Sequence, residues 1–353
     1  MFEIYKNKKV LVTGHTGFKG SWLTCWLLKL GANVTGYALD PVHVNDNFEL
    51  CELYNKIKDY REDIRDFKKL TEVIQKEKPE VVFHLAAQPL VLESYRNPHY
   101  TIETNTQGTS NILEAFRNSN SAKVLIIITT DKVYQNNEWL WGYRETDRLG
   151  GNDPYSASKA AAELLISSYQ KSFFEKEKKF IVSVRAGNVI GGGDWAENRI
   201  VPDCIKAIEK NENISIRNPN ATRPWQHVLE PLSGYLLLGE KLLQNSAEYT
   251  GAWNFGPYLS NIISVEDLVK NIIKAYGKGK YALQKQSYTP VEANFLSLDI
   301  SKAITKLKWK PVLKLNETIE LTVEWYKNYS SNNGYEFCGE QIEKYVRLWK
   351  LRN

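Results

Sequence analysis

Two hydrophobic rhythms alternate along the first half of the chain. Short apolar runs bounded by turn residues predict strands at Lys9–Thr13, Asn33–Tyr37, Val81–His84, Lys123–Thr129 and Phe180–Arg185. Between them, apolar residues at helical spacing predict helices near Gly20–Leu30, Phe67–Lys78, Thr104–Asn118 and Ser156–Glu175. Such alternation requires right-handed crossovers, so the expected class is α/β, a Rossmann-type doubly wound parallel sheet. After Arg185 the pattern loosens into loops at Gly191–Gly193 and Asn218-Pro219. Strand-like Trp253–Gly256 follows, then helices at Val265–Tyr276 and Asn316–Tyr329. The expected organisation is a sheet domain over residues 1–185 with a return segment at about 225–258. A smaller mixed α/β lobe, 186–224 and 259–353, would close over a cleft.

The first strand runs straight into VLVTGHTGFKG, with Gly14, Gly17 and Gly20 three residues apart, and a helical pattern follows at once. Glycines here let the chain turn sharply off a strand, approach a pyrophosphate and pack a helix tightly, while the helix N-terminus offers N–H groups to phosphate. The spacing is GxxGxxG rather than GxGxxG, so context carries the reading. Gly14, His15, Thr16, Gly17, Phe18, Lys19 and Gly20 are therefore candidate cofactor contacts. Asp40, twenty residues past Gly20, is placed to take adenosine ribose hydroxyls. Asp63-Ile64, after a third strand, would flank an adenine. Leu85-Ala86-Ala87 ends the next strand in small residues, as backbone near a nicotinamide ribose requires.

Composition narrows the class. The 353 residues are 42% hydrophobic, enough for one large or two moderate cores, and contain no apolar run long enough to span a bilayer. The N-terminus enters a strand directly, without a signal-peptide core, so a cytoplasmic location is expected. The four cysteines, Cys25, Cys51, Cys204 and Cys338, lack metal-ligand spacing and read as reduced thiols, with no metal expected. A net charge of +5 suits anionic small molecules, and the dispersed lysines argue against nucleic acid.

The chemical centre is Tyr155-Ser156-Ala157-Ser158-Lys159, whose Tyr and Lys lie one helical turn apart on one face. An ammonium beside a phenol, with a nicotinamide cation nearby, stabilises phenolate and makes Tyr155 a base for a hydroxyl proton. Thr130, just past an apolar strand, is the expected partner hydroxyl.

The set TGHTGFKG, HLAAQ, TTDK, YSASK, VRAGNVIGGGDW and RPWQHVLEP resembles the extended short-chain dehydrogenases that act on nucleotide sugars. Within them it is most similar to the CDP-glucose 4,6-dehydratases. The resemblance runs through nearly the whole chain and implies a tightly bound NAD, with Gln88, Asn105, Thr129 and Arg185 added to the cofactor contacts. It implies that hydride leaves C4 of the hexose with Tyr155 as base, Lys159 tuning it and Thr130 holding the 4-oxygen. The C5 proton and the 6-hydroxyl then depart, and hydride returns to C6. Asp131 fits the acid that helps water leave, for which it must be protonated. Lys132 stands where the broader family commonly carries a glutamate as C5 base. It would serve as a neutral base if desolvated, or as a cation steadying the enolate. Epimerisation is the competing reaction, and a catalytically silent dinucleotide sensor a third reading; retention of Tyr155, Lys159 and Asp131-Lys132 ranks both lower.

For the nucleotide diphosphate the candidates are Asn188, Arg199, Arg217 and Arg223, arginine being suited by bidentate pairing. Many relatives carry a further arginine late in the chain, where this one reads Thr289-Pro290-Val291-Glu292-Ala293. Trp139, Trp141, Trp195 and Trp225 are candidates for stacking, with at least two expected in the core. His84 and His227 read as structural. The expected partner is a nucleotide sugar, CDP-glucose favoured by resemblance, in a homodimer or dimer of dimers built on the Thr104–Asn118 and Ser156–Glu175 helices. Ile112, Leu113, Phe116, Leu164, Leu165 and Phe173 would face the second copy. A deoxyhexose for a bacterial surface polysaccharide is the expected product class.

Overall fold

The computed structural model describes residues 1–174, 179–244, 247–284, 295–330 and 333–352. Six strands, β1 (Lys9–Thr13), β2 (Asn33–Ala38), β3 (Lys58–Arg61), β4 (Val81–His84), β5 (Val124–Ile128) and β6 (Phe180–Ala186), are joined by Gly251–Phe255 in one sheet. Across the seven strands the order is Gly251–Phe255, β6, β5, β4, β1, β2, β3, and every pairing is parallel. The chain therefore reverses its direction of travel between β1 and β4, and a crevice opens beyond their carboxyl ends.

Both faces of this sheet are covered, which is why its strands are apolar at consecutive positions rather than alternate ones. Val10 and Val12 of β1, Val81 and Phe83 of β4, and Val124 and Ile126 of β5 pack on one side. Leu11, Val82, Leu125 and Ile127 pack on the other. The first core continues without a break into Ile205, Leu268, Trp309 and Val323 of the later part of the chain. The C-terminal helix Gly334–Arg352 lies against α1 (Phe18–Lys29), with Tyr345 edge-on to Trp26 at 5.7 Å and Glu343 on Lys29 at 2.6 Å.

Helix boundaries follow local chemistry. The helix expected from Ser156 starts at Pro154, because Asp153 caps it by accepting the Ser156 N–H at 2.9 Å and proline suits the first turn. It runs to Tyr169 and widens into a π turn over Gln170–Phe174, and Glu175 lies outside the described residues. The helix expected from Thr104 opens as a π turn, Glu103–Gln107, before Gly108–Arg117. Among the described residues no helix is long and apolar enough to cross a membrane.

Candidate active site

The turn after β1 is built for close backbone approach. Gly14 has φ +74°, and a Cβ there would stand 2.6 Å from the Ala86 nitrogen. One on Gly20 would run into the Gly14 carbonyl oxygen. The first turn of α1, at Phe18, Lys19 and Gly20, follows the extended cap residue Gly17, and helices leave such first-turn N–H groups without intrahelical acceptors. Only glycine fits at positions 14 and 20, and the cradle that results fits a dinucleotide pyrophosphate. Thr16 closes it by donating to the Leu39 carbonyl at 3.0 Å.

The remaining cofactor candidates divide. His15 turns away from the cradle into the sheet: its ring occupies the space a Cβ on Gly36 would need, and its Nε2 lies 2.7 Å from Asp59 Oδ1. Asp40 stays exposed beyond β2, with Arg61 Nη1 at 3.4 Å. Asp63 pairs with Arg65 at 2.7 Å, and the Ile64 carbonyl accepts from Asn111 Nδ2 at 3.0 Å. Leu85, Ala86 and Ala87 form the opposite wall, the Ala86 N–H donating to Thr13 Oγ1 at 3.3 Å. Gln88 and Asn105 are engaged inside the protein. Asn105 Nδ2 donates to the Gln88 carbonyl at 3.1 Å and to Ser158 Oγ at 3.0 Å, and its Oδ1 accepts the Gln88 N–H at 2.9 Å. Their side chains brace the loop after β4 against the Pro154–Tyr169 helix.

Beyond β5 the chain makes a tight turn, Asp131–Val133, capped by Thr130 Oγ1, which accepts the Lys132 N–H at 3.3 Å. The Thr130 hydroxyl also donates to Asp131 Oδ1 at 3.0 Å and is hydrogen-bonded to the Tyr155 phenol. Burial pushes Tyr155 up to about 12; the Thr130 bond opposes it, the Asp131 charge adds to it and Arg199 opposes it. Lys159 is buried one turn along with its Nζ 3.4 Å from the Ile128 carbonyl, and burial lowers it to about 8 against the pull of Glu163. Asp131 Oδ2 is buried and has no partner among the described residues. It faces Gly187, where a Cβ would come within 2.9 Å of it. Lys132 sits beside it, half-buried.

Lys19 belongs to this group as well as to the glycine turn. Burial lowers it to about 8, and Arg199, Asp131, Lys159 and Asp194 all act on it. Among the diphosphate candidates, Arg199 lies within the field of Tyr155 and pairs with Asp194 at 2.7 Å. Arg223 is buried and donates to the Thr222 carbonyl at 2.9 Å. Arg217 binds the Asn198 side chain at 3.3 Å, and the Asn188 carbonyl accepts the Gln226 N–H at 3.1 Å. Thr289 to Ala293 lie outside the described residues.

Thr129 and Arg185 stand one layer behind the site. Arg185 donates to both oxygens of Glu163, to the Tyr134 hydroxyl at 2.6 Å and to the Glu145 carbonyl at 3.2 Å. Thr129 donates to Glu163 at 2.5 Å. With its guanidinium turned inward in this way, Arg185 holds Glu163 and Tyr134 in place. Sequence reasoning missed Glu163, though it lies one turn beyond Lys159 on the same helical face, where a lone acid among apolar neighbours was the available signal. Tyr134 and Asn254, bonded at 2.8 Å, gave none.

Trp195 and Trp225 are buried, their indole N–H groups donating to the Asn45 and Ile263 carbonyls. Trp141 is exposed and Trp139 stacks on Tyr143 at 5.4 Å. His84 accepts or donates to Thr13 at 2.8 Å, and both His84 and His227 are fully enclosed.

The sequence profile of the GDP-mannose 4,6 dehydratase family matches residues 11–322. CDP-glucose 4,6-dehydratase of Salmonella typhimurium is 45% identical over 350 residues, covering 98% of each chain. The UDP-glucose 4-epimerase of Thermus thermophilus, solved in complex with NAD, superposes with a TM-score of 0.78 at 25% identity, covering 90% of this chain and 99% of that one. DesIV of Streptomyces venezuelae, a dTDP-glucose 4,6-dehydratase with NAD bound, has the same fold at 21% identity, TM-score 0.78, covering 91% and 97%. The glycine cradle, the Thr130–Tyr155–Lys159 group and this near full-length match lead to one conclusion: the chain belongs to the GDP-mannose 4,6 dehydratase family.

Proposed function

We propose that the chain dehydrates a nucleotide-activated glucose, CDP-D-glucose, to the 4-keto-6-deoxy sugar and water. NAD, held in the glycine cradle, would supply the two-electron acceptor for C4 and the donor for C6. Tyr155 removes the 4-hydroxyl proton, Thr130 fixes that oxygen and the Lys159 charge lowers the cost of phenolate. The new ketone acidifies C5. Lys132 acts at that carbon, either as the base that takes the C5 proton or as a cation beside the enolate while another group takes that proton. Asp131, in its protonated form, delivers a proton to the departing 6-hydroxyl. The observation that carries the reading is the orphaned Asp131 Oδ2: a buried carboxylate oxygen left open next to Tyr155 and Thr130 is where a second sugar hydroxyl would be met. An epimerase shares Tyr155 and Lys159 but needs no such group.

The diphosphate falls to Arg199 and Arg223, with Lys19 able to share it. Leu164 and Phe173, 62% and 42% exposed, offer an apolar face to a second copy, whereas Ile112, Leu113 and Phe116 are fully enclosed in the chain's own core. We place this homo-oligomer in the bacterial cytoplasm, upstream of a surface polysaccharide such as an O-antigen. Incubation with CDP-glucose, thymidine, uridine and guanosine counterparts tests the reading. CDP-glucose should give the alkaline absorbance of a 4-keto-6-deoxy product. Conversion to a C4 epimer without loss of water would contradict it.

A further inference from the structure

Three of the four cysteines, remote in sequence, meet in the interior. Cys25 comes from α1, Cys51 follows the short Asn47–Leu50 helix and Cys338 belongs to the C-terminal helix. Their sulfurs all lie within 4.8 Å of one another, with Cys51 and Cys338 at 3.8 Å. Thiolates on one ion with metal–sulfur bonds of about 2.3 Å stand about 3.8–4.0 Å apart, so the triangle closes on an ion with shifts of about 1 Å or less. Asn47 Oδ1 accepts the thiol protons of Cys338 at 3.1 Å and Cys51 at 3.5 Å while its Nδ2 is held on Ser21 Oγ at 3.1 Å, so an ion would take the place of these two protons. The Trp325 indole N–H is buried without a hydrogen-bond partner among the described residues. Lys56 acts on Cys25 as a positive charge. A surface cleft of about 270 Å³ reaches Cys25 and is lined by Glu336, Glu340 and the Lys29–Glu343 ion pair.

We infer that Cys25, Cys51 and Cys338 form a three-thiolate site for one thiophilic d10 ion of the cuprous type, separate from the catalytic cleft. Three soft sulfurs with no fourth strong ligand among the described residues favour Cu(I) over zinc, which takes four. Loading exchanges thiol protons for the ion and changes no oxidation state. It would also cross-link the C-terminal helix to the helix that follows the glycine cradle.

The test uses the full chain, reduced and kept without oxygen, titrated with Cu(I) against a competing Cu(I) chelator. One equivalent per chain should be taken, with X-ray absorption showing three sulfur neighbours at about 2.2–2.3 Å. Cys51→Ser and Cys338→Ser should each weaken binding at least ~100-fold, by analogy with the 10–100-fold cost of losing even an outer partner. Cys204→Ser should leave it unchanged. Failure to take Cu(I) from the chelator, oxygen or nitrogen neighbours in place of sulfur, or tighter retention of zinc than of Cu(I) would each overturn the assignment. The absorption spectrum of the unmodified protein decides the matter if a serine variant fails to fold.

Discussion

Arg185 grips Glu163 through two parallel hydrogen bonds, 2.9 Å from Nε to Oε1 and 2.8 Å from Nη2 to Oε2, with both side chains 3% exposed. The pair ties β6 to the Pro154–Tyr169 helix one turn beyond Lys159. A buried charge that loses its partner is costly, about 3–5 kcal/mol. Glu163→Gln should therefore lower unfolding free energy by about that amount in urea titration. Because Glu163 is the group that opposes desolvation of Lys159, the same variant should move the alkaline limb of the activity profile below about 8. A loss under ~1 kcal/mol would mean the pair behaves as an exposed one.

Tyr155→Phe removes the phenol proposed to take the C4 hydroxyl proton. We expect kcat to fall by about 10²–10⁴ and single-turnover reduction of bound cofactor to fall with it. Thr130→Val removes the hydroxyl that stabilises the Tyr155 phenolate. A smaller loss is expected, with the acid limb of kcat displaced upward. An unmoved limb would detach Thr130 from Tyr155.

Asp131→Asn and Lys132→Ala should spare the first oxidation and stall the loss of water from C5 and C6. Rapid mixing with substrate should then show reduced cofactor accumulating, where the parent shows little. Normal turnover by either variant would remove that residue from the elimination step.

Acid stability offers a separate check. Burial lowers His227 to about 3, so between that value and about 6.5 the unfolded chain binds a proton that the native one refuses. Stability contributed by neutral His227 is thus lost as pH falls through this window, at about 1.4 kcal/mol per pH unit. Glu230, pushed up to about 7 by burial, has the opposite sign, since the native state keeps a proton that the unfolded state has released. Comparing parent with His227→Gln cancels that contribution. Between pH 5 and 6.5 the variant's stability should fall less steeply by about one proton's worth, as measured by urea unfolding. Equal slopes would mean that His227 is charged in the folded protein.

How far the sequence could be read depends on how local each signal is. β1 and β4 are found at their expected residues because consecutive apolar positions between turn residues specify a buried parallel strand. The glycine turn and the Tyr155–Lys159 pair were equally visible, since three or four residues suffice to define them. The hidden features depend on contacts across the fold. Gly36 reads as a weakness in a strand until the His15 ring is seen occupying its Cβ space. Arg185 lies at the carboxyl end of a strand, where a cofactor contact is the natural expectation, and only the third dimension supplies Glu163 and Tyr134 as its partners. The three converging cysteines span 313 positions, from 25 to 338, and no spacing rule reaches that far.

The central claim is that one electron pair leaves C4 and comes back at C6 of the same sugar. CDP-glucose deuterated at C4 should give product carrying deuterium at C6, with no net consumption of NAD. Product with unlabelled C6, or NADH released in step with turnover, would contradict the account.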